Sequence, residues 1–536
     1  MSFLIVTAVL VVSLGRLGDM FGRVRTYNLG FAVFTVFSVL LFLTPLTGHA
    51  GALWLIGMRV GQGVGGAMLF ANSSAIITDA FPANQRGLAL GINGVAAIAG
   101  SFVGLILGGV LAPLSWRLVF LVSVPFGLFG TVWAYLKLQD LSERRPAKID
   151  WLGNITFAIG LIAIMVGITY GIQPYGHHVM SWGSPKVLVE IIGGAIVLGI
   201  FAVIETRVGQ PMFHLELFRI RAFAAGNLAS LLSSIGRGGL QFVLIIWLQG
   251  IWLPQHGYSF TETPLWAGIY MVPLTVGFLI AGPVSGLLSD RYGARPFATG
   301  GMIVAAISFL ALEQLPVNFG YVWFALLLAL NGIGMGLFAS PNRAGIMNSL
   351  PPRQRGAGAG MAATFQNSAM VLSIGIFFSL LIVGLSGHLP ASLFAGLHNH
   401  GVSAFVAHKV ANLPPVASLF AAFLGYNPMQ KLLGPGLLHH LPAAQAATLT
   451  GRSFFPQLMT APFASALRAA FTFSFVACVV AAAASWLRGG KYHYAEEPEE
   501  PGPEPSPPNA GLVVERTPRR LSALRRAPRP RRRSQR

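Results

Sequence analysis

Few groups in this chain of 536 residues could do chemistry, because only 10% of them are charged. Two arginines stand out by position. Arg59 lies inside the otherwise uncharged run Gly51–Asn72 and Arg237 inside Phe223–Trp252. If those runs lie in lipid, a central guanidinium costs at least about 2.5–3.5 kcal/mol and must face a cavity or a partner. A buried arginine bonded to backbone carbonyls is the plain reading; an intramembrane charge in functional use is the sharper one. A proton carrier would need a titratable group, commonly a carboxylate, at mid-membrane. The carboxylates do not fall there. Asp19, Asp79, Asp140, Glu143, Asp150, Glu216 and Asp290 lie in or beside the Arg-rich connections, and Glu205 ends a run there. Glu262 and Glu313 lie near the opposite ends, and Glu190 is only a few residues inside a run.

The elements that position these groups are long apolar runs. The chain is 54% hydrophobic, against a charged share of about 25% in soluble domains, so lipid is the solvent its surface fits. A membrane-spanning helix needs about 20 mostly apolar residues. The runs that qualify are Tyr27–Thr47, Gly51–Asn72, Leu88–Ala112, Arg117–Lys137, Trp151–Ile172, Val187–Glu205, Phe223–Trp252, Leu265–Ser289, Phe297–Leu315, Tyr321–Ala339, Ala357–Gly387 and Phe463–Leu487. Met1–Leu14 adds a thirteenth that reads as short, since about 14 residues of helix reach only about 21 Å across a core about 30 Å thick. It lacks the basic start and small-residue cleavage site of a signal peptide. The fold class is therefore all-α and polytopic.

Basic residues occupy alternate connections: Arg16, Arg23 and Arg25; Arg86; Arg144, Arg145 and Lys148; Arg207, Arg219 and Arg221; Arg291 and Arg295; Arg343, Arg353 and Arg355. These connections are expected to face the cytoplasm, and parity puts the C-terminal tail there too. The net charge of +19 does not point to nucleic acid, because ten arginines between Arg516 and Arg536 carry about half of it. That tail follows an acidic, Pro-rich stretch, Glu496–Pro508. It is expected to be disordered and to meet anionic lipid; no nucleic acid is expected as a partner.

Within the apolar frame a pattern recurs. Gly15-x-Leu17-x-Asp19-x-x-Gly22 returns as Gly286-x-Leu288-x-Asp290-x-x-Gly293. Leu69-Phe70-Ala71 returns as Leu337-Phe338-Ala339, and Gln85-Arg86-Gly87 with Gly91 returns as Gln354-Arg355-Gly356 with Gly360. Three pairs in the same order at nearly one offset make the chain an internal duplication of a membrane module. Gly15 and Gly286 let helices approach closely, and Gly22 and Gly293 permit a left-handed turn. Asp19 and Asp290 can pair with an arginine or meet a helix N-terminus. Arg23, followed by Arg25, holds the first turn at the surface, and Arg291 follows Asp290 in the second.

On these residues the chain resembles the major facilitator superfamily. GRLGDMFGRVR resembles its motif A; Leu55-x-x-x-Arg59-x-x-Gln62-Gly63-x-Gly65 resembles motif B; and Gly91–Gly109, with Gly100, Gly104, Gly108 and Gly109 in register, resembles motif C. The resemblance implies two six-helix bundles that rock about a central cavity, with the motif B arginine, Arg59, taking part in proton coupling. Arg237 is a second candidate for that role. Motif C departs from the family at Gly104-Leu105, where a Gly-Pro is usual, so the glycine face is kept and the proline kink is not.

Two spans beyond six separate the repeats, which resembles the fourteen-helix drug:proton antiporter branch. Only one helix precedes Gly15 while two precede Gly286 in its half, so the first half reads as lacking its first helix. The division expected is 1–137, a first bundle; 138–222, a linker with two extra helices; 223–487, a second bundle with an outer loop at 388–461; and 488–536, the tail.

The function implied is export of small lipophilic or cationic compounds against protons across the plasma membrane. The alternatives are an uncoupled facilitator or metabolite exporter, and a transport-dead membrane protein. No GxxxxGK[ST] loop is present, so an ATP-driven pump is not expected, nor is any cofactor or enzymatic activity. His388, His398, His400, His408, His439 and His440 of the outer loop match no standard zinc spacing and read as part of a polar cap. Gln241, Trp247, Gln249, Gln366 and Asn367 are candidates to line a substrate path, where stacking would suit flat cations. Trp116 and Trp151 read as interface anchors.

Overall fold

In lipid every backbone polar group must be satisfied internally, and a helix does this within one segment. The computed structural model describes residues 2–82, 85–111, 114–140, 150–176, 178–209, 211, 213–351, 354–413 and 427–489. Among them, thirteen helices are long and apolar enough to cross a membrane, and no β-strand forms. They are α1 (Ser2–Phe21), α2 (Arg23–Phe42), α3 (Gly48–Ala80), α4 (Leu88–Leu111), α5 (Leu118–Lys137), α6 (Trp151–Gly171), α7 (Pro185–Glu205), α8 (Arg221–Gln255), α9 (Thr263–Tyr292), α10 (Ala294–Glu313), α11 (Tyr321–Asn348), α12 (Ala357–Ser386) and α13 (Phe454–Leu487). Sequence-local caps start two of them. The Asp150 carboxylate accepts from the Gly153 N–H at 2.9 Å before α6. Ser184 accepts from Val187 at 3.3 Å before α7, where Pro185 takes the first helical position.

Several spans differ from the sequence reading. The opening run is not short: α1 has 20 residues and reaches about 30 Å at 1.5 Å per residue. Gly15 to Phe21 continue the helix, and its charges fall in the last turns, where Arg16 Nη1 donates to the Pro211 carbonyl at 2.8 Å. In the same way α3 carries Asp79 and α11 carries Arg343, both expected in or beside a connection. The Arg144–Lys148 cluster, the side chains of Arg86 and Arg353, and the tail from residue 490 lie outside the described residues.

Two buried clusters hold the helices. One joins α8 to α13 around Trp247, Phe309, Phe324, Phe377 and Phe471. The other joins α1, α3 and α12 to the two additional helices through Val12, Ala71, Phe157, Phe201 and Met361. The extra helices therefore dock on the seam between the repeats. Ser13 of α1 donates to Asn154 of α6, and a Cβ on Gly375 of α12 would collide with Ile168 of α6. The outer loop is not simply a polar cap. Its helices Leu389–Asn399, Ala404–Ala411, Met429–His440 and Ala443–Thr450 bury Leu393, Leu397, Val410, Met429 and Leu449 in the first cluster.

Candidate functional site

Contacts among the described residues bring the connections α1–α2, α3–α4, α7–α8, α9–α10 and α11–α12 to one end: Arg16 reaches Pro211, Arg23 reaches Asp79, Asp290 meets Leu88 and Gln354 meets Glu216; this is the basic face. The first turn is built from its glycines. Gly22 takes φ +109°, and a Cβ on it would collide with Asp140. Just before it, a Cβ on Gly18 would collide with Asn72, so α1 and α3 cross closely here. The Arg23 guanidinium then reaches two carboxylates: Nε donates to Asp19 at 2.7 Å and Nη1 to Asp79 of α3 at 2.5 Å. The Arg23 side chain is only 15% exposed, so this link is screened less than a surface pair.

The second copy keeps the turn and changes the partner. Gly293 takes φ +91°. The Asp290 carboxylate accepts from the backbone N–H of Leu88, in the first turn of α4. A helix N-terminus carries unsatisfied N–H groups and partial positive charge, so it suits a carboxylate as an arginine does. Gly286 is buried in α9. Gly15 meets Ala71 at an ordinary 3.5 Å.

The repeats meet along two seams, α1 with α12 and α4 with α9. A Cβ on Gly360 would stand 3.3 Å from Val12 Cα, and one on Gly91 3.5 Å from Pro283 Cα. Thr364 donates to the Ala8 carbonyl at 3.3 Å, and Arg343 of α11 crosses to Ser74 of α3. Both seams are thus closed near the basic face.

Deeper in the first repeat, Arg59 is half-buried. Its Nη1 donates to Gln62 at 3.0 Å, Gln62 donates to Ser38 at 2.8 Å, and the guanidinium lies 4.7 Å from the Phe120 ring centroid. Gly63 lets α3 approach α1, since its Cβ would stand 3.0 Å from the Phe3 carbonyl oxygen. Arg237, also half-buried, makes no hydrogen bond or ion pair with the described residues. The deepest carboxylate, Glu190, is the sixth residue of α7.

Other candidates are placed differently from the sequence reading. Among the motif C glycines Gly100, Gly104, Gly108 and Gly109, only Gly109 lies in close approach, where a Cβ would stand 2.8 Å from Leu265 of α9; a Cβ on any of the other three would meet nothing within 4 Å. The glycine face is therefore used at its two ends, Gly91 and Gly109, and not between them. Trp247 is a core residue with no exposure, donating to the Val317 carbonyl at 2.8 Å, and Gln249 is buried beside it. Asn367 is buried and donates to the Ala363 carbonyl at 2.9 Å, while Gln366 is exposed. His400 bonds the Gly396 carbonyl, and His398 and His408 pack on Phe394. Among the described residues no group of three His, Cys, Asp or Glu could hold a metal ion. Sequence reasoning missed Arg343 as a cross-repeat contact and Arg488 altogether.

A duplicated helical frame with matched turns on one face and two symmetric seams defines a secondary-transporter architecture. Residues 1–374 match the model of the Major Facilitator Superfamily, and the chain belongs to that family. It is similar to the riboflavin transporter RibZ of Clostridioides difficile, with 26% identity over 76% of this chain and 85% of the relative. It is similar to the tetracenomycin C resistance and export protein of Streptomyces glaucescens, with 27% identity over 94% of this chain and 86% of the relative. A third relative is the multidrug transporter protein MdtP of Bacillus subtilis, with 26% identity over 83% and 78%. The chain is a multi-pass membrane transporter and not an enzyme.

Proposed function

We propose that the chain exports small lipophilic or cationic molecules across the plasma membrane by alternating access, with protons entering in exchange. The observation that carries this reading is the near full-length similarity, extra helices included, to a relative named for tetracenomycin C resistance and export. In this reading the basic face, and the tail with it, is cytoplasmic. The seams closed near that face then correspond to a state in which substrate has been presented outward. The first repeat holds Arg59 within reach of Gln62 and Phe120. A fixed cation there disfavours a second positive charge beside it, so its field bears on the entry of a cationic substrate. Gln366, exposed on α12, is a candidate substrate contact. The basic tail beyond residue 516 is read as touching anionic lipid.

A facilitator without proton coupling is the second reading, favoured by one observation: the described spans hold their carboxylates near the ends. The test is efflux from proteoliposomes loaded with a fluorescent lipophilic cation, with and without an imposed pH gradient. Flux that accelerates with the gradient and falls when an ionophore collapses it supports antiport. Flux indifferent to pH supports the facilitator, and no flux removes both.

A further inference from the structure

The second repeat has a buried cation at this turn, but of the two carboxylates that face Arg23 in the first it keeps only Asp290, which turns to the Leu88 N–H. In the first repeat Arg23, directly after the turn glycine, sits between Asp19 and Asp79. Its counterpart after Gly293 is Ala294. Asp79, eight residues past Ala71, answers to Met347, eight past Ala339, and Met347 is buried. Into this vacated corner comes an arginine from outside the repeat pattern, Arg488, one residue past the end of α13.

Two glycines cradle it. A Cβ on Gly345 of α11 would stand 2.9 Å from Arg488 Nη1 and 3.1 Å from Ala294 Cβ, and one on Gly226 of α8 would stand 3.4 Å from Nη2. Nη2 donates to Asn342 Oδ1, and Asn342 in turn donates to the Gly226 carbonyl at 3.1 Å. Nε and Nη1 have no partner among the described residues, although the residue is only 5% exposed. Burial pulls this guanidinium down to about 10, so at neutral pH it remains a cation, and no carboxylate among the described residues acts on it. A buried charge left without an ion-pair partner among the described residues is costly, and its two free donors, on different edges of the guanidinium, can each take an oxyanion oxygen. The corner adjoins the surface: Ala294 and Gly345 are half-buried and Gly489 is exposed. Ala294 also opens α10, a 20-residue helix whose N-cap, Gly293, offers no side-chain bond. The positive end of that helix adds to the same field.

We propose that Arg488, with the N-terminus of α10, forms an anion site at the basic face of the second repeat, and that phosphate oxygens take the place of the missing carboxylate. Two sources share that chemistry: the headgroup of an anionic lipid and free inorganic phosphate.

The test uses the full chain, delipidated in a non-ionic detergent. The apparent unfolding temperature is followed during titration with inorganic phosphate in one arm and short-chain phosphatidylglycerol in the other, with sodium chloride as the ionic-strength control. Wild type is expected to show a saturable rise of about 2–5 °C. A rise in both arms assigns a site open to free phosphate; a rise in the lipid arm alone assigns a headgroup. Arg488→Gln is expected to lose the response. Should that variant fail to fold, Asn342→Asp decides, because it sets a carboxylate against the guanidinium. It is expected to unfold above wild type without added anion and to show no further rise. A wild type indifferent to both anions, or a variant that responds as wild type does, overturns the proposal.

Discussion

Gly91 and Gly360 hold equivalent places in the two repeats and make the same contact. Gly360 lies against Val12, seven residues before Asp19, and Gly91 lies against Pro283, seven residues before Asp290. The seams are therefore one crossing used twice, and each is close because a side chain is absent. A methyl group on Gly360, 3.3 Å from Val12 Cα, or on Gly91, 3.1 Å from Ser340 Oγ, needs a shift of a few tenths of an ångström, whereas a branched side chain must part the helices. Gly360→Ala is expected to transport at near wild-type rates. Gly360→Leu and Gly91→Leu are expected to reach the membrane and to lose transport by about tenfold or more through a shift in the open–closed balance. Flux measured beside surface accessibility of the basic face checks this, and unaltered flux in both Leu variants would refute it.

The link of Arg23 to Asp19 and Asp79 ties the ends of three helices. Arg23→Ala leaves two carboxylates facing each other and is expected to cost about 1–3 kcal/mol. Lysine cannot offer separate donors to two acids in one plane, so Arg23→Lys should recover only part of it. Thermal unfolding of the two variants, with Asp79→Asn alongside, reads the effect. Equal stability of Arg23→Ala and wild type would show the link to be solvated.

Arg59 contributes through charge, a cation–π contact with Phe120 and a hydrogen bond to Gln62. Arg59→Lys keeps only the charge. Arg59→Ala is expected to abolish gradient-driven efflux, by about a hundredfold, while exchange without a gradient falls much less. Loss of both to the same degree would place Arg59 in the scaffold.

His214 gives a pH signature at the basic face. Burial, chiefly, holds its imidazole below the usual range; Arg16 adds to that, and Glu216 at 3.6 Å opposes it. Because the folded state favours the neutral ring, the unfolded chain binds more protons below about pH 6.5. The stability this group contributes is fully present above that pH and is lost as pH falls through the folded value. Unfolding temperature is expected to drop on acidification from 7.5 to 5.5, and less steeply in His214→Gln. Identical slopes would exclude this histidine.

The spans, the duplication and the single basic face were legible because each rests on composition or spacing that survives whatever the tertiary structure does. Gly22 and Gly293 could be read in the same way, since a left-handed turn favours glycine wherever it occurs. The reach of helices into the basic face was not legible. Asp79 and Arg343 look like loop residues because charge ordinarily marks a membrane edge, yet α3 and α11 continue through them to partners on other helices. Facing was not legible either: Trp247 resembles a path-lining aromatic in sequence and proves to be the centre of a dry cluster with Phe319, Phe324 and Phe471. Arg488 could have been flagged by pairing the repeats residue by residue, since Ala294 and Met347 replace an ion pair while one arginine remains nearby.

The central claim is that two bundles rock about the paired seams, closing one end as the other opens. Spin labels placed, in a Cys478→Ala background, at the exposed positions Phe21 and Tyr292 report the basic face, and labels at Leu46 and Gln314 report the opposite end. Pulsed distance measurements in nanodiscs at low and high pH are predicted to show opposite changes, the first pair separating under conditions that bring the second together. Distances that stay fixed at both ends, or that lengthen together, would contradict it.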